Sequence, residues 1–406
     1  MKRDFVTMEQ LYEDVITQLD LTRETGDDEL RSIIRNVIEE ASSDHYLSLQ
    51  DKLHYSKELF HAFRKLDVLQ DFMEDEEVTE IMINGTDNIF VEKNGQILMS
   101  HKRFSKGSRL EDVIQQIVSG TNRFVNESSP IVDARLKDGS RVNVVLPPVA
   151  INGPILTIRK FPMERITMEQ LIRYGSVTIE AAEFLNLLIK SKYNIFVSGG
   201  TGSGKTTFLN ALSDYIPKDE RLITIEDNAE LQIRGVDNLV RLEARNANIE
   251  GEGAVSIRDL IKSALRMRPT RIIVGEVRGE ETVDMIGVML NGHNGSLSTG
   301  HGNNPGDMIH RLETMMLMGL DLPLEAISRQ IASALDIIIH LDRIRDKTRR
   351  VMEITEVLGY ENGCVLLQPL YQFKEEGMTH GKIKGQLMKV TQLQNTDKLL
   401  AAGYHL

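Results

Sequence analysis

The sequence predicts an α/β protein in three parts: a small helical bundle, a mixed α/β domain, and a largely parallel sheet carrying a phosphate loop. Three observations carry this. Apolar residues recur at helical spacing over residues 4–65, short β-type runs with hairpin signals take over near residue 70, and strands alternate with helices from about residue 166. The expected boundaries are 1–65, 66–160, a linker at 161–165, and 166–406.

In the first part, Phe5, Met8, Tyr12, Val15, Ile16 and Leu19 mark one amphipathic helix, and Leu30, Ile33, Ile34, Val37, Ile38 and Ala41 a second. Leu49, Leu53, Phe60 and Phe63 mark a third. Asp27 and Asp28 suit the start of the second helix. Either a folded accessory domain or a docking module for a partner fits three such helices.

In the second part, Val78–Ile83, Ile89–Glu92 and Ile97–Ser100 read as strands, with Asn94-Gly95 a tight-hairpin signal. A helix is expected over Leu110–Val118. Val132–Leu136 and Arg141–Leu146 flank the turn Lys137-Asp138-Gly139-Ser140, and Ile155–Arg159 adds a strand before Phe161-Pro162. In the third part, helices near 167–173 and 178–190 precede the apolar strand Asn194–Ser198. Further strands are expected at 222–226, 238–242, 271–275, 296–299 and 336–341, with a helix near 256–267. This alternation predicts crossover helices on a parallel sheet. The last 45 residues read as short strands and turns.

Charge narrows the function. The chain of 406 residues has a formal net charge of -12. Residues 1–80 hold 9 basic and 21 acidic side chains, whereas residues 81–406 hold 39 of each. A bulk nucleic-acid binder is expected to be basic, so direct nucleic-acid binding is not expected. The start lacks a secretory signal pattern, and no apolar run reaches the length of a transmembrane helix. Cys364 alone allows no intrachain disulfide and no four-cysteine zinc site. A soluble, cytoplasmic protein is the expectation.

The decisive segment is Gly199, Gly200, Thr201, Gly202, Ser203, Gly204, Lys205 and Thr206, with Thr207 opening the helical stretch behind it. It matches the phosphate-loop pattern between an apolar strand and a helix. Glycines let backbone N–H groups turn toward phosphate oxygens, and the helix N-terminus adds a favourable dipole. Lys205 is expected on the β- and γ-phosphates of ATP, and the Thr206 hydroxyl on Mg²⁺.

Two apolar strands then end in acids: Ile223-Thr224-Ile225-Glu226-Asp227, with Glu230 close behind, and Ile272-Ile273-Val274-Gly275-Glu276. Ligands of parallel sheets gather at strand C-termini, so these acids should face the phosphates. Glu276 occupies a Walker B position, with Gly275 where many relatives of the fold have Asp. His293 and His301 bracket a short strand. They read as sensors of the γ-phosphate or, with poorer spacing, as a zinc pair. Arginines are a further candidate set: Arg135, Arg141 and Arg159 in the middle domain, and Arg241, Arg245, Arg266, Arg268, Arg271 and Arg278 in the last. Most are expected at the surface or in ion pairs, and a few as fingers toward a γ-phosphate.

With these motifs in order, the sequence resembles the secretion-ATPase superfamily of type II and type IV systems, most closely the CpaF/TadA-like branch of tight-adherence (Flp) pilus assembly. The resemblance covers about residues 60–360. It rests on Val78–Gly85, Asp133–Leu136, Asp138–Asn143, Gly199–Thr206, Ile225-Glu226-Asp227, Arg268-Pro269 with Ile272–Arg278, Gly292–His301, and Gln330–Ala334. It implies a RecA-like P-loop ATPase domain behind a PAS-like α/β domain and the helical bundle, in a hexameric ring that works on an inner-membrane platform protein of a pilus or secretion system. The ring would sit on the cytoplasmic face of the cell membrane.

Carried over, Lys205 and Thr206 are Walker A contacts, Glu226, Asp227 and Glu230 form an Asp box with Glu230 as catalytic base, and Glu276 is the Walker B acid, holding Mg²⁺ through water. His293 and His301 form a His box, and Arg141 and Arg159 reach the nucleotide phosphates. Thr270, Asn246 and the run Thr299-Gly300-His301-Gly302-Asn303-Asn304 depart from the family pattern. The missing cysteines disfavour the zinc-bearing extension motors. A conjugation-type nucleic-acid-associated motor and a nucleotide-gated scaffold with little hydrolysis are the alternatives.

Overall fold

The computed structural model describes residues 6–405, apart from 21, 24, 94, 105–106, 121–123, 162–164, 246 and 248–251. Asn246, Pro162 and the first residue of the Asn94-Gly95 turn thus lie outside the described residues. The chain divides into two compact units, Met1–Met163 and Glu164–Leu406.

The first unit begins with three amphipathic helices, α1 (Met8–Gln18), α2 (Asp27–Asp44) and α3 (Leu49–Arg64). Thr7 and Ser48 close capping boxes on α1 and α3, which satisfies backbone donors that the first turn leaves open. Leu11, Val15, Leu30, Ile34, Val37, Ile38, Leu59 and Phe60 form the bundle core. A short helix, α4 (Gln70–Glu74), leads into β1 (Val78–Asn84), β2 (Asn88–Lys93), β3 (Gln96–Met99), α5 (Gly107–Ser119), β4 (Ile131–Arg135), β5 (Arg141–Val145) and β6 (Ile155–Arg159).

These strands form an antiparallel sheet of order β3-β2-β1-β6-β5-β4. Its inner residues, among them Ile81, Ile83, Val142, Val144, Leu156 and Ile158, pack with Leu110, Ile114 and Ile117 of α5. The alternate residues face the other way. In register across that outer face stand Arg135, Arg141, Arg159 and Glu80.

The second unit runs α6 (Met168–Arg173), α7 (Ile179–Lys190), β7 (Ile195–Gly199), α8 (Lys205–Ser213), β8 (Arg221–Glu226), β9 (Asn238–Glu243), α9 (Ile257–Ala264), β10 (Arg271–Val274), α10 (Glu281–Leu290), β11 (Leu297–Gly300), α11 (Pro305–Gly319), α12 (Leu324–Ala334) and β12 (Ile337–Arg343). β13 (Arg349–Glu361), β14 (Cys364–Thr379), β15 (Lys382–Lys389) and α13 (Asp397–Ala401) complete it. The sheet order is β15-β14-β13-β12-β7-β11-β10-β8-β9. From β12 to β9 every pairing is parallel, and β13 to β15 extend one side antiparallel.

Both sheet faces are covered, which is why β7, β10 and β11 are buried throughout and read as continuous rather than alternating apolar runs. One core packs Phe184, Leu185, Phe208 and Leu209 beneath the sheet. The other packs Ile261, Ile286, Leu312 and Ile331 above it.

The tail departs from its expected short strands, since β13 has 13 residues and β14 has 16. Register shifts at Ile354/Thr355, Val357/Gly359 and Glu375/Gly377 explain the difference. Each bulge switches which side chains face the core, so a long strand looks like several short ones in sequence. Pro369, opposite Thr355 at one shift, is placed where a missing N–H does least harm.

A phosphate-loop site at the strand ends

The phosphate loop leaves the buried end of β7 and enters α8. Gly204 is the N-cap residue of α8 with φ +95°, and Gly202 has φ +71°, backbone that L side chains rarely adopt. A Cβ on Gly199 would lie 2.4 Å from the Leu341 carbonyl oxygen of β12, so the strand must pass there without a side chain. Lys205 opens α8 and is buried. Its Nζ donates to the carbonyl oxygens of Gly199 (3.2 Å) and Gly200 (3.1 Å). The ammonium is thus folded onto its own loop, and burial lowers its pKa. Thr206 and Thr207 follow in the first helical turn, both half-buried. Arg349, from the start of β13, donates from Nε to the Gly202 carbonyl (2.8 Å).

The C-terminal ends of β8, β10 and β11 bring the acids and one histidine to this loop. His301 Nδ1 lies 3.3 Å from Lys205 Nζ, and its Nε2 lies 2.9 Å from Glu276 Oε1. Burial, then the Lys205 charge, lowers the His301 pKa, so the ring is neutral at pH 7. A lysine ammonium can only donate. Nδ1 is therefore the acceptor, and the ring proton sits on Nε2, toward Glu276. Glu276 Oε1 makes no hydrogen bond among the described residues, while its Oε2 accepts from Arg278 Nε (2.9 Å) and Nη2 (2.5 Å), and Arg278 Nη1 stands 3.8 Å from Asp227.

Glu226 is buried at the end of β8. Its Oε2 accepts from the backbone N–H groups of Glu230 (2.7 Å) and Leu231 (2.8 Å). Burial pushes its carboxyl up to about 7, against the lowering effect of those two donors. Its Oε1 is buried without a hydrogen-bond partner. Asn210 of α8 accepts from the Gln232 N–H (2.8 Å), so the segment carrying Glu230 is tied at two points. Glu230 itself is half-buried, and its charge is felt by Lys205 and Arg278.

The structure thus assembles Lys205, Glu226, Glu230, Glu276 and His301. It does not bring His293 to them. His293 precedes β11, at the N-terminal end of that strand and away from the loop, where its carbonyl accepts from Ser296 Oγ (2.7 Å). The expected pairing of the two histidines is therefore corrected: β11 lies between them, about 13 Å of extended chain. Among the described residues no group of three His, Cys, Asp or Glu could hold a metal ion, so the zinc reading fails there. Arg141 and Arg159 stand side by side in the first unit's sheet.

Mg²⁺ arriving with a nucleotide takes few protein ligands and many waters and phosphate oxygens. The Thr206 hydroxyl, Glu276 and the unpartnered Glu226 Oε1 are hard oxygen donors of the kind such an ion takes, and they fit it on that ground.

The sequence reading missed two contributors. Arg349 has no local motif and lies 147 residues from its partner Gly202. Arg311 sits on α11, and its charge lowers the pKa of both Lys205 and His301. Its signal was a polar stripe, Asp307, His310, Arg311 and Thr314, at i, i+3, i+4 and i+7.

Comparison with known proteins gives the same answer as the geometry. The family model described as "Type II/IV secretion system protein" matches residues 64–380. A putative conjugal transfer protein of Mycobacterium tuberculosis is 35% identical over 304 residues, 73% of this chain and 86% of its own length. The type IV secretion system protein VirB11 of Brucella abortus is 33% identical over 324 residues, 72% of this chain and 88% of its own. The structure of the Legionella pneumophila ATPase DotB shares the fold, with TM-score 0.51 and 20% identity over 73% of this chain and 80% of that one. The chain belongs to the type II/IV secretion system protein family and is a P-loop ATPase.

Proposed function

We propose that the chain is the ATP-driven motor of a membrane-bound pilus or secretion machine, most closely of the Flp/Tad type. The carrying observation is that His301 lies between the phosphate loop and the strand-end acid, 3.3 Å from Lys205 Nζ and 2.9 Å from Glu276 Oε1. In this reading Lys205 leaves its loop carbonyls for the β- and γ-phosphates, and Thr206 and Glu276 hold the Mg²⁺ shell. Mg²⁺ supplies charge neutralisation to the phosphates. Glu230 orients or deprotonates the attacking water, and Glu226 fixes Glu230 through the backbone. His301 senses the γ-phosphate beside Lys205. No step is assigned to His293. Arg141 and Arg159 close on the phosphates.

The motor is a hexamer on the cytoplasmic face of the membrane, where domain closure on ATP moves an inner-membrane platform protein. The acidic helices of residues 1–65 meet a basic surface of that platform. Steady-state ATP turnover and hexamer formation by the full-length chain, with and without the platform protein, test this. Turnover that never responds to the platform overturns it.

A conjugation-type motor is the second reading, favoured by the conjugal transfer names of relatives at 35% and 31% identity. ATPase stimulation by single-stranded DNA that fades with salt decides for it. A nucleotide-gated scaffold is decided against by steady turnover of the purified ring.

A further inference from the structure

Beside the loop lies a cavity of about 770 Å³, lined by Gly200, Thr201, Arg278 and His301 on one side and by His310 and Arg311 of α11 on the other. Thr314 and Met318 continue the α11 wall, and Asp307 is the acid on it. The volume is several times that of a phosphate group. His301, which lines the cavity, stands 3.3 Å from Lys205; with Lys205 read as the cation for the β- and γ-phosphates, the cavity lies on the terminal-phosphate side.

The basic side chains of this cavity differ in how they are occupied. Arg278 is held by Glu276 and faces Asp227. His310 Nδ1 lies 3.2 Å from Glu313 Oε2. Arg311 has no hydrogen-bond or ion-pair partner among the described residues, is exposed, and repels the protons of Lys205 and His301. A guanidinium that lines the same cavity as His301, which itself touches the Lys205 ammonium, favours an anion in that cavity. Guanidinium suits a tetrahedral phosphate dianion, which it can hold by two parallel N–H donors.

We infer that this cavity receives the orthophosphate released by hydrolysis, with Arg311 as its anchoring cation, so that product departs along α11. The inference rests on the ATPase reading. In the step that feeds it, water adds to the γ-phosphorus and the bond from that phosphorus to the β–γ bridging oxygen breaks. The electron pair stays with ADP, and the water proton leaves through Glu230. The new phosphate then exchanges contact with Lys205 for contact with Arg311.

The test uses the full-length chain, with inorganic phosphate as product inhibitor of ATP hydrolysis in the presence of ADP. A fluorescent ATP analogue reports nucleotide binding separately. Arg311→Ala is expected to raise the inhibition constant for phosphate about tenfold, the order of one charge-assisted hydrogen bond, while analogue binding persists. Arg311→Lys should recover part of the loss. Because Arg311 is exposed, neither change threatens the core. An unchanged phosphate constant in Arg311→Ala, with the analogue still bound, overturns the inference and leaves the ATPase reading standing. Failure of the wild type to bind the analogue overturns both.

Discussion

Gly275 and Glu226 occupy adjoining space: a Cβ on Gly275 would come 2.9 Å from Cγ of Glu226. This gives a physical reason for glycine at the position before the Walker B acid. The Glu226 side chain, rising from the end of β8, fills the room that a side chain on β10 would take. From there it accepts the N–H groups of Glu230 and Leu231. The two strand ends are also tied through the backbone, where the Gly275 N–H donates to the Ile225 carbonyl (2.8 Å).

Gly275→Ala should therefore act on Glu230 without touching it. The added methyl displaces the Glu226 carboxylate and frees the Glu230 segment. Turnover is expected to fall roughly tenfold or more with nucleotide affinity retained, the pattern of a lost transition-state contact. Parallel kcat and nucleotide-binding measurements check it. Wild-type kcat in this variant would show that the Glu226 link does not position the base.

Glu226 also makes a pH prediction. Its carboxyl stands at about 7 in the folded protein against an ordinary value of 4.5. Between those values the folded state keeps a proton that the unfolded state has released, so this group's contribution to stability falls as pH rises through the window. Glu226→Gln removes the buried charge and keeps an acceptor for both N–H groups. The variant should be more stable than wild type at pH 8, by an amount on the order of 3 kcal/mol at most, and the two should converge near pH 4.5. Thermal unfolding followed across that range reads the difference; a constant gap would contradict it.

Arg271 and Glu220 form a buried ion pair at the start of β10. Arg271 is fully buried and donates from Nη2 to Glu220 Oε1 at 2.9 Å, with Nε on the other oxygen. Gly295 leaves room for it, since a Cβ there would meet Arg271 Nη1 at 2.5 Å. Arg271→Leu leaves the buried Glu220 carboxylate with only Lys192 Nζ, 4.0 Å away, and should cost about 3–5 kcal/mol of stability. Adding Glu220→Leu should recover much of that loss. Denaturant unfolding of both variants distinguishes a stranded charge from a packing defect.

Much of this was legible in the sequence. The phosphate loop, the apolar strands ending in Glu226 and Glu276, and the three N-terminal helices follow from local spacing, because each depends on contacts within a few residues. What was hidden depends on distance. Eight positions separate His293 and His301, and only the placement of β11 shows that they stand at opposite ends of that strand. Arg349 meets the loop because β13 pairs with β12, a relation masked by bulges in the tail. The link from Glu226 to Glu230 uses backbone donors, which carry no residue-type signal.

The central claim is that Lys205 binds the nucleotide and Glu230 drives its hydrolysis. ATP turnover and fluorescent-analogue binding, measured together on full-length wild type, Lys205→Ala and Glu230→Gln, test it most directly. The account expects Lys205→Ala to lose turnover entirely. It expects Glu230→Gln to bind nucleotide like wild type while hydrolysis drops at least about 100-fold, the lower range for loss of a general base. Near-normal turnover in Glu230→Gln would contradict it.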